Sequence, residues 1–256
     1  MLALQRHREI LSILNTEGQV RVSDLAERFS VTEETIRRDL VLLEEQGNLV
    51  RTHGGAVTTG SDSMHEKPYW ERELFLPGEK GAIAQAALEE IEPNETIFID
   101  ASSTALCLAR ELPDIELTVL TNSLQAALTI ANRERIEIVG IGGKLSRFSL
   151  SFTGSVTVDN LREYHVNTAF FSCRGLSIDW GLSDANEEQA LLRRNILTLA
   201  DRRILLADHN KFNVKALRHI ADWQEIDKLI TDDGVNEELL QKLRDKNVNI
   251  KIATVI

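Results

Sequence analysis

Apolar residues recur at Ile36, Leu40 and Leu43, so a helix that begins after Thr32 turns one stripe inward. Thr32 can cap that helix through its hydroxyl, and Glu33 and Glu34 sit where the helix dipole favours negative charge. The stripe leaves Thr35, Arg37, Arg38 and Val41 on other faces. Ahead of it, Val22-Ser23-Asp24-Leu25-Ala26-Glu27-Arg28-Phe29 predicts a shorter helix, closed by a Ser30-Val31-Thr32 turn. A first helix over 2–16 turns Ile10, Ile13 and Leu14 inward. Past Leu43 and Gly47, residues 49–52 and 56–58 form two short strands around His53-Gly54-Gly55, where glycine permits positive backbone angles.

Two helices, a tight turn and a glycine-tipped hairpin make a winged helix-turn-helix, a device for placing side chains in the DNA major groove. Arginine forks suit guanine edges and phosphates, and a threonine methyl packs against a thymine methyl. Ser23, Thr32, Thr35, Arg37 and Arg38 are the candidate DNA contacts of the helices, and Arg51 and His53 those of the wing. The competing readings are bland: a solvated arginine pair on an amphipathic helix, and a hairpin that only closes the core through Leu49 and Val57.

From 59 to 79 the pattern breaks at Gly60, Ser61, Ser63, Pro68, Pro77 and Gly78, which predicts a linker with Tyr69 and Trp70 docked on a neighbour. The expected division is a DNA-binding domain over 1–58, a linker over 59–79 and a second domain over 80–256. In the second domain, helices over 80–91, 104–112, 124–132, 155–164, 186–200 and 236–247 alternate with short apolar strands. The strands fall at 96–100, 117–121, 136–140, 168–172, 204–208, 228–231 and 248–252. Continuous apolar strands between helices predict an α/β domain, its largely parallel sheet covered on both faces.

Ligands of such sheets bind outside the carboxyl ends of the strands. Polar clusters stand there: Asp100-Ala101-Ser102-Ser103-Thr104, Thr121-Asn122-Ser123, Gly142-Gly143-Lys144, Ser172-Cys173-Arg174-Gly175 and Asp208-His209-Asn210-Lys211. Hydroxyls and free N–H groups at a helix start suit a phosphate, and Gly142-Gly143 lets backbone approach closely. Each cluster alone is an ordinary cap or turn. Five at five strand ends point to a phosphorylated small molecule. The candidate contacts are Asp100, Ser102, Ser103, Thr104, Thr121, Asn122, Ser123, Gly142, Gly143, Arg174 and Lys211.

The chain has 256 residues, 43% of them hydrophobic, enough for one small and one medium domain. No run is long enough for a membrane span and the N-terminus lacks a signal-peptide pattern. Cys107 and Cys173 lie far apart in apolar stretches, so buried free thiols, no metal site and a cytoplasmic protein are expected. The net charge is −11, and residues 1–57 carry seven arginines against nine acids. A basic surface must therefore come from local arrangement, which argues against a general nucleic-acid packer.

The chain resembles the DeoR family of bacterial sugar-metabolism regulators over nearly its whole length. Thr35-Ile36-Arg37-Arg38-Asp39-Leu40 and Arg51-Thr52-His53-Gly54-Gly55-Ala56 carry the N-terminal resemblance. Asp100-Ala101-Ser102-Ser103-Thr104, Thr121-Asn122-Ser123, Gly142-Gly143 and Ala207-Asp208 with Lys211-Phe212 carry the rest. The resemblance implies a sensor domain related in fold to ribose-5-phosphate isomerase and acyl-CoA transferases. It also implies operator DNA and a sugar-phosphate effector as partners; the geometry of double-stranded DNA recognition suggests a homodimer or higher homo-oligomer, and no cofactor is expected. Many members carry Asp-Gly where this chain has Arg174-Gly175, and Ser-Lys where it has Asn210-Lys211. The Asp100–Thr104 and Phe171-Ser172-Cys173 wording is similar to the branch with the fucose-operon activator, which suggests a 6-deoxyketose 1-phosphate. The opposing class is a sugar-phosphate isomerase with an appended DNA-binding segment. Its base candidates would be Glu187 and Glu188, in the first turn of their helix.

Overall fold

The computed structural model describes residues 6, 7, 9–11, 13, 14, 18–45, 49–57 and 68–255. The chain divides into two compact units, Met1–Asp62 and Ser63–Ile256.

In the first unit, the described residues between 6 and 14 are helical. Strand β1 (Gln19–Arg21), helix α1 (Val22–Phe29), helix α2 (Glu33–Glu45), β2 (Val50–Thr52) and β3 (Gly55–Val57) follow. The inward stripe is as the spacing predicts: Ile36, Leu40 and Leu43 are buried with Ile10, Leu14, Leu25, Phe29 and Leu49. Thr32 begins α2, its Oγ1 accepting from Thr35 N at 3.3 Å. The wing is wider than the expected hairpin, since β1 adds to it in the order β1-β3-β2. Three residues between two helices carried too little pattern to announce β1. The expected ends of the first helix and Thr58 lie outside the described residues.

The motif's acid, Asp39, points inward. It accepts from Arg6 Nε at 2.5 Å and Nη2 at 3.1 Å, and its Oδ1 lies 2.7 Å from His7 Nε2. Burial pushes the Asp39 carboxyl up, but Arg6 and His7 outweigh it and hold the group below its ordinary value. This buried pair fastens α2 to the first helix across 33 positions of sequence.

The second unit is built on seven strands: β4 (Thr96–Ile99), β5 (Leu117–Thr121), β6 (Ile136–Gly140), β9 (Val166–Phe171), β12 (Ala200–Leu206), β14 (Lys228–Asp232) and β15 (Ile250–Ala253). They pair in parallel in the order β15-β14-β12-β9-β4-β5-β6. Neighbouring residues alternate between two buried faces. Ile97, Ile99, Phe170, Ile204 and Ile230 meet α3 (Tyr69–Leu74), α4 (Pro77–Leu88), α5 (Ser103–Glu111) and α6 (Leu124–Ile130). Phe98, Ala169, Phe171, Leu205 and Leu229 meet α7 (Ser155–Leu161), α8 (Glu187–Leu199) and α9 (Glu237–Asp245). The strands are apolar along their length because both sides are covered.

Two corrections concern the segment read as a linker. From Tyr69 it is helical: Pro68 stands just ahead of α3 at its N-cap, and Pro77 is the first residue of α4, a position that proline favours. Tyr69 is buried in the core while Trp70 is 55% exposed, so only one of the two aromatics docks. The strand pattern also missed the hairpin β7 (Lys144–Ser146) and β8 (Ser151–Thr153). A small antiparallel sheet of β10 (Gly175–Ser177), β11 (Gly181–Asp184) and β13 (Arg218–Ala221) was missed as well. Cys107 and Cys173 are free. Among the described residues no helix is long and apolar enough to cross a membrane.

Gly55 packs directly on β1. A β-carbon there would lie 1.8 Å from the carbonyl oxygen of Val20. Gly55→Ala should therefore open the β1–β3 pair and destabilise the first unit by about 2 kcal/mol or more. All three tryptophans, Trp70, Trp180 and Trp223, belong to the second unit. In urea, the circular dichroism of the variant should begin to fall earlier while the tryptophan transition stays in place.

Candidate functional site

The two units carry two separate polar constellations. In the first, α2 and the wing enclose a cleft of about 440 Å³ lined by Arg37, Glu44, Arg51, Thr52, His53 and Gly55, with Val22 and Leu40 at its base. A second cleft on the outer side of α2 joins Arg37, Arg38 and Arg51 with Glu34, Val41 and Leu42. Four of the expected DNA contacts, Arg37, Arg38, Arg51 and His53, thus share one surface. Thr32 and Thr35 are tied to each other at 2.9 Å at the start of α2. Ser23, on α1, donates to Asp24 at 2.8 Å and lines neither cleft.

The arginines of this surface are already partnered. Arg37 donates to Glu33 at 2.5 Å and Arg38 to Glu34 at 3.2 Å, one helical turn back. The Arg51 backbone N–H donates to Glu44 at 2.9 Å, and its guanidinium lies 3.9 Å from the same carboxylate. Such exposed pairs contribute about 0.5 kcal/mol, so a phosphate can displace the glutamates at small cost. Two apolar side chains the sequence did not single out, Leu42 and Val50, are each 47% exposed in this unit.

In the second unit the five polar clusters all stand at the carboxyl edge of one parallel sheet. The chain runs from β4 outward to β5 and β6, then returns to β9 on the other side of β4. In doubly wound sheets a reversal of this kind, here between the loops after β4 and β9, is where a crevice opens and ligands bind. Ser102 caps α5, its Oγ accepting from Ala105 N at 3.0 Å. Ser103 and Thr104 follow in the first turn of α5, both buried. From β9 come Ser172, whose buried Oγ has no partner, and Arg174, whose buried Nε has none either. Lys211 arrives from the β12 side and donates to the carbonyl of Cys173 at 2.8 Å.

Asp100 does not face the crevice as a free carboxylate. Its Oδ2 accepts Arg193 Nε at 3.0 Å, Arg193 Nη2 at 2.9 Å and the Ser172 N–H at 3.2 Å, while Oδ1 accepts the Ser102 N–H at 3.0 Å. Arg193 Nη1 reaches Asp184 at 2.7 Å. Burial works against the guanidinium's charge, but Asp184 and Asp100 outweigh it and raise Arg193 above its ordinary value. One arginine from α8 thus orders the ends of β4, β9 and β11. Sequence reasoning missed Arg193 and Asp184, since neither stands at the end of a sheet strand that it had found.

The remaining expected residues lie to the other side. Thr121 Oγ1 donates to Ile99 O at 2.6 Å and accepts the Ser123 N–H at 3.0 Å, and Ser123 caps α6. Asn122 donates to Phe152 O at 3.1 Å, and its buried Oδ1 has no partner. Gly143, at φ +152°, lies under Thr157, whose hydroxyl oxygen would be 2.0 Å from a β-carbon there. Gly142 is half-buried beside it. Burial pushes the Cys173 thiol up to about 12, so it is inert at neutral pH despite Lys211 nearby. Glu188 accepts Thr153 at 2.7 Å and pairs with Lys144 at 3.5 Å, and Glu187 is bonded to Arg218. Both acids that an isomerase would draw on are engaged in the first turn of α8. Among the described residues no group of three His, Cys, Asp or Glu could hold a metal ion.

A winged helix-turn-helix joined to an α/β domain with a crevice at its switch point defines a transcription regulator with a sensor domain. The chain matches a DeoR-like helix-turn-helix domain over residues 6–62 and the DeoR C-terminal sensor domain over residues 77–233. It is 44% identical to the HTH-type transcriptional regulator YulB of Bacillus subtilis, over 98% of this chain and 96% of that one. It is 33% identical to a putative aga operon transcriptional repressor of Escherichia coli O157:H7, over 96% and 92%. With the L-fucose operon activator of Haemophilus influenzae it shares 34% over 90% and 92%. Among solved structures, ribose 5-phosphate isomerase A of Methanocaldococcus jannaschii overlaps 53% of this chain and 54% of its own, at 19% identity and a TM-score of 0.40. The protein belongs to the DeoR family and is a transcriptional regulator.

Replacing Arg193 by methionine would leave Asp100 and Asp184 buried without their cation. Removing one partner of a buried ion pair costs about 3–5 kcal/mol. The tryptophan-monitored urea midpoint of Arg193→Met should fall accordingly, whereas Glu187→Gln should leave it almost unmoved.

Proposed function

We propose that the protein represses a sugar-catabolic operon as a dimer, and that a phosphorylated sugar in the second unit's crevice controls its grip on the operator. The observation that carries the effector reading is the set of donors left open at the switch point. Ser172 Oγ and Arg174 Nε are buried without partners in the loop after β9, whose Cys173 carbonyl accepts from Lys211 and whose Ser172 N–H shares Asp100 with the Ser102 N–H at the start of α5. A buried donor without an acceptor costs on the order of 1–3 kcal/mol, which a phosphate oxygen would recover. Ser102, Ser103, Thr104, Arg174 and Lys211 take the phosphate. The Thr121–Ser123 turn and the Gly142-Gly143 backbone lie on the side that takes the sugar, and Asp100 acts through Arg193 as a support.

The similarity to a fucose operon activator makes a 6-deoxyketose 1-phosphate the first effector to try. Repression relieved by the effector follows the similarity to a named repressor, and dimerisation follows the geometry of helix-turn-helix recognition, which pairs two half-sites. The deciding experiment is fluorescence anisotropy on the promoter of the neighbouring genes, titrated with sugar phosphates and with the matching free sugars. One phosphate that weakens specific binding, with its free sugar inert, is the expected result. Binding that ignores every phosphate rejects the effector reading and leaves DNA recognition standing.

Arg174→Ala should raise the effector concentration needed for half-release at least tenfold without changing effector-free operator affinity. In the DNA unit, Arg38→Ala should reduce the slope of log affinity against log salt by about one per protomer. An unchanged slope would remove Arg38 from the phosphate contacts.

A further inference from the structure

A third cleft of the first unit, of about 280 Å³, lies between β1 and α1. Gln19 and Arg21 line it from β1, and Asp24, Leu25 and Arg28 from α1. Among the described arginines of this unit, only Arg21 and Arg28 meet no carboxylate. Arg6 is buried against Asp39, and Arg37, Arg38 and Arg51 lie beside Glu33, Glu34 and Glu44. Asp24, the acid of the cleft, accepts from Ser23 at 2.8 Å. Two cations therefore stand against one acid, on a chain whose net charge is −11.

The fold accounts for Arg28 and not for Arg21. Both side chains are exposed, so neither serves the core. Arg28 is in the last turn of α1, where the helix dipole favours a cation. Arg21 is the N-cap, at the positive end of the same helix, and its side chain caps nothing. A guanidinium that opposes its own helix dipole and has no carboxylate at ion-pair distance is suited to an anion from outside the chain.

The position of Arg21 indicates which anion. Arg21 pairs with Gly55 across β1 and β3, and the next residue, Val22, donates its N–H to Gly54 O at 2.9 Å. Val22 and Gly55 also line the cleft that holds Arg37, Arg51 and His53. One strand pair thus joins the cleft of Arg21 to the surface with the expected DNA contacts. Arg21 and Arg28 are seven positions apart along α1, about 10 Å, a spacing that suits separate phosphates of one strand.

We propose that Arg21 and Arg28 bind the DNA backbone beside the groove that α2 reads, so that the operator contact continues onto the phosphates flanking each half-site. The proposal rests on DNA recognition and is independent of the effector reading. A phosphate here displaces no glutamate, whereas Arg37, Arg38 and Arg51 must each exchange a partner. Such contacts carry no sequence information and supply affinity and register.

The test uses the full chain and two operator duplexes from the promoter of the neighbouring genes. One ends at the last base pair whose substitution weakens binding, and the other is longer by about five base pairs, half a turn, at each end. At low salt the longer duplex should bind about tenfold more tightly. Arg21→Gln with Arg28→Gln should abolish that gain. On the longer duplex alone, the same pair should lower the slope of log affinity against log salt by about two per protomer. Arg21→Lys with Arg28→Lys should keep both gain and slope, since an ammonium also neutralises a phosphate. The urea midpoint by circular dichroism should stay in place for both pairs, which separates a lost contact from a lost fold. A glutamine pair that keeps the gain and the slope overturns the proposal and turns the cleft toward an acidic protein surface. Extension without any gain overturns it too. An equal loss on both duplexes puts the arginines inside the half-site and overturns their flanking position.

Discussion

Arg193 is the residue around which the second unit is arranged. It places one guanidinium between two carboxylates in a region almost closed to water, with side-chain exposures of 6% for Arg193, 3% for Asp100 and 8% for Asp184. Each charge would be costly alone, and the cluster is tolerable only because every fork of the arginine meets an acceptor. The carboxylates then pass the constraint on. Asp100 fixes the Ser102 N–H at the start of α5 and the Ser172 N–H after β9, and Asp184 fixes the Asn186 N–H at the start of α8. Two helix starts and two strand ends thereby take fixed positions around one crevice. This also explains why the most conspicuous acid of the sheet edge is unsuited to acid–base work: its lone pairs are spent on holding the site together.

The DNA-binding unit solves a different electrostatic problem. A chain of net charge −11 approaches a polyanion, and its reading helix carries its own acids one turn before its arginines. Glu33, Glu34 and Glu44 hold the cations in extended, pre-set positions while DNA is absent. The pairs are exposed and weak, so phosphate oxygens compete well at low salt and poorly at high salt. Binding of that kind depends on a fitted site, and it is easily reversed.

How much of this could be read from the chain follows from how local each cause is. The parallel sheet was legible because strands covered on both faces are apolar throughout, as in Ile97-Phe98-Ile99 and Leu229-Ile230. The polar clusters after those strands were legible for the same reason, since the topology rule places them at one edge. Helix α3 was not, because Pro68 and Pro77 look like breaks and act as starts. The Arg193–Asp100 pair joins positions 93 apart, and Arg6–Asp39 joins positions 33 apart. No spacing rule connects such residues. Asp100 was therefore taken for a ligand and Asp39 passed as one more polar letter in a DNA-binding motif.

A regulator needs some part that has two arrangements, because an effector shifts nothing unless it binds one arrangement better than the other. The sheet cannot be that part: its inner strands are paired on both sides and packed on both faces, and close-packed interiors deform little. The β4 and β9 loops cannot be it either, since Arg193 holds them. What remains is the material laid over the sheet edge, the β7–β8 hairpin and α3. There the backbone runs through a left-handed leucine, and its last carbonyls accept from the buried ammonium of Lys80. Besides that cation, the six-residue helix is held by Tyr69 in the core, by the Phe148 carbonyl and by Arg110. A rigid recognition site and a movable element are complementary requirements. Selective recognition needs the first, and a response to it needs the second.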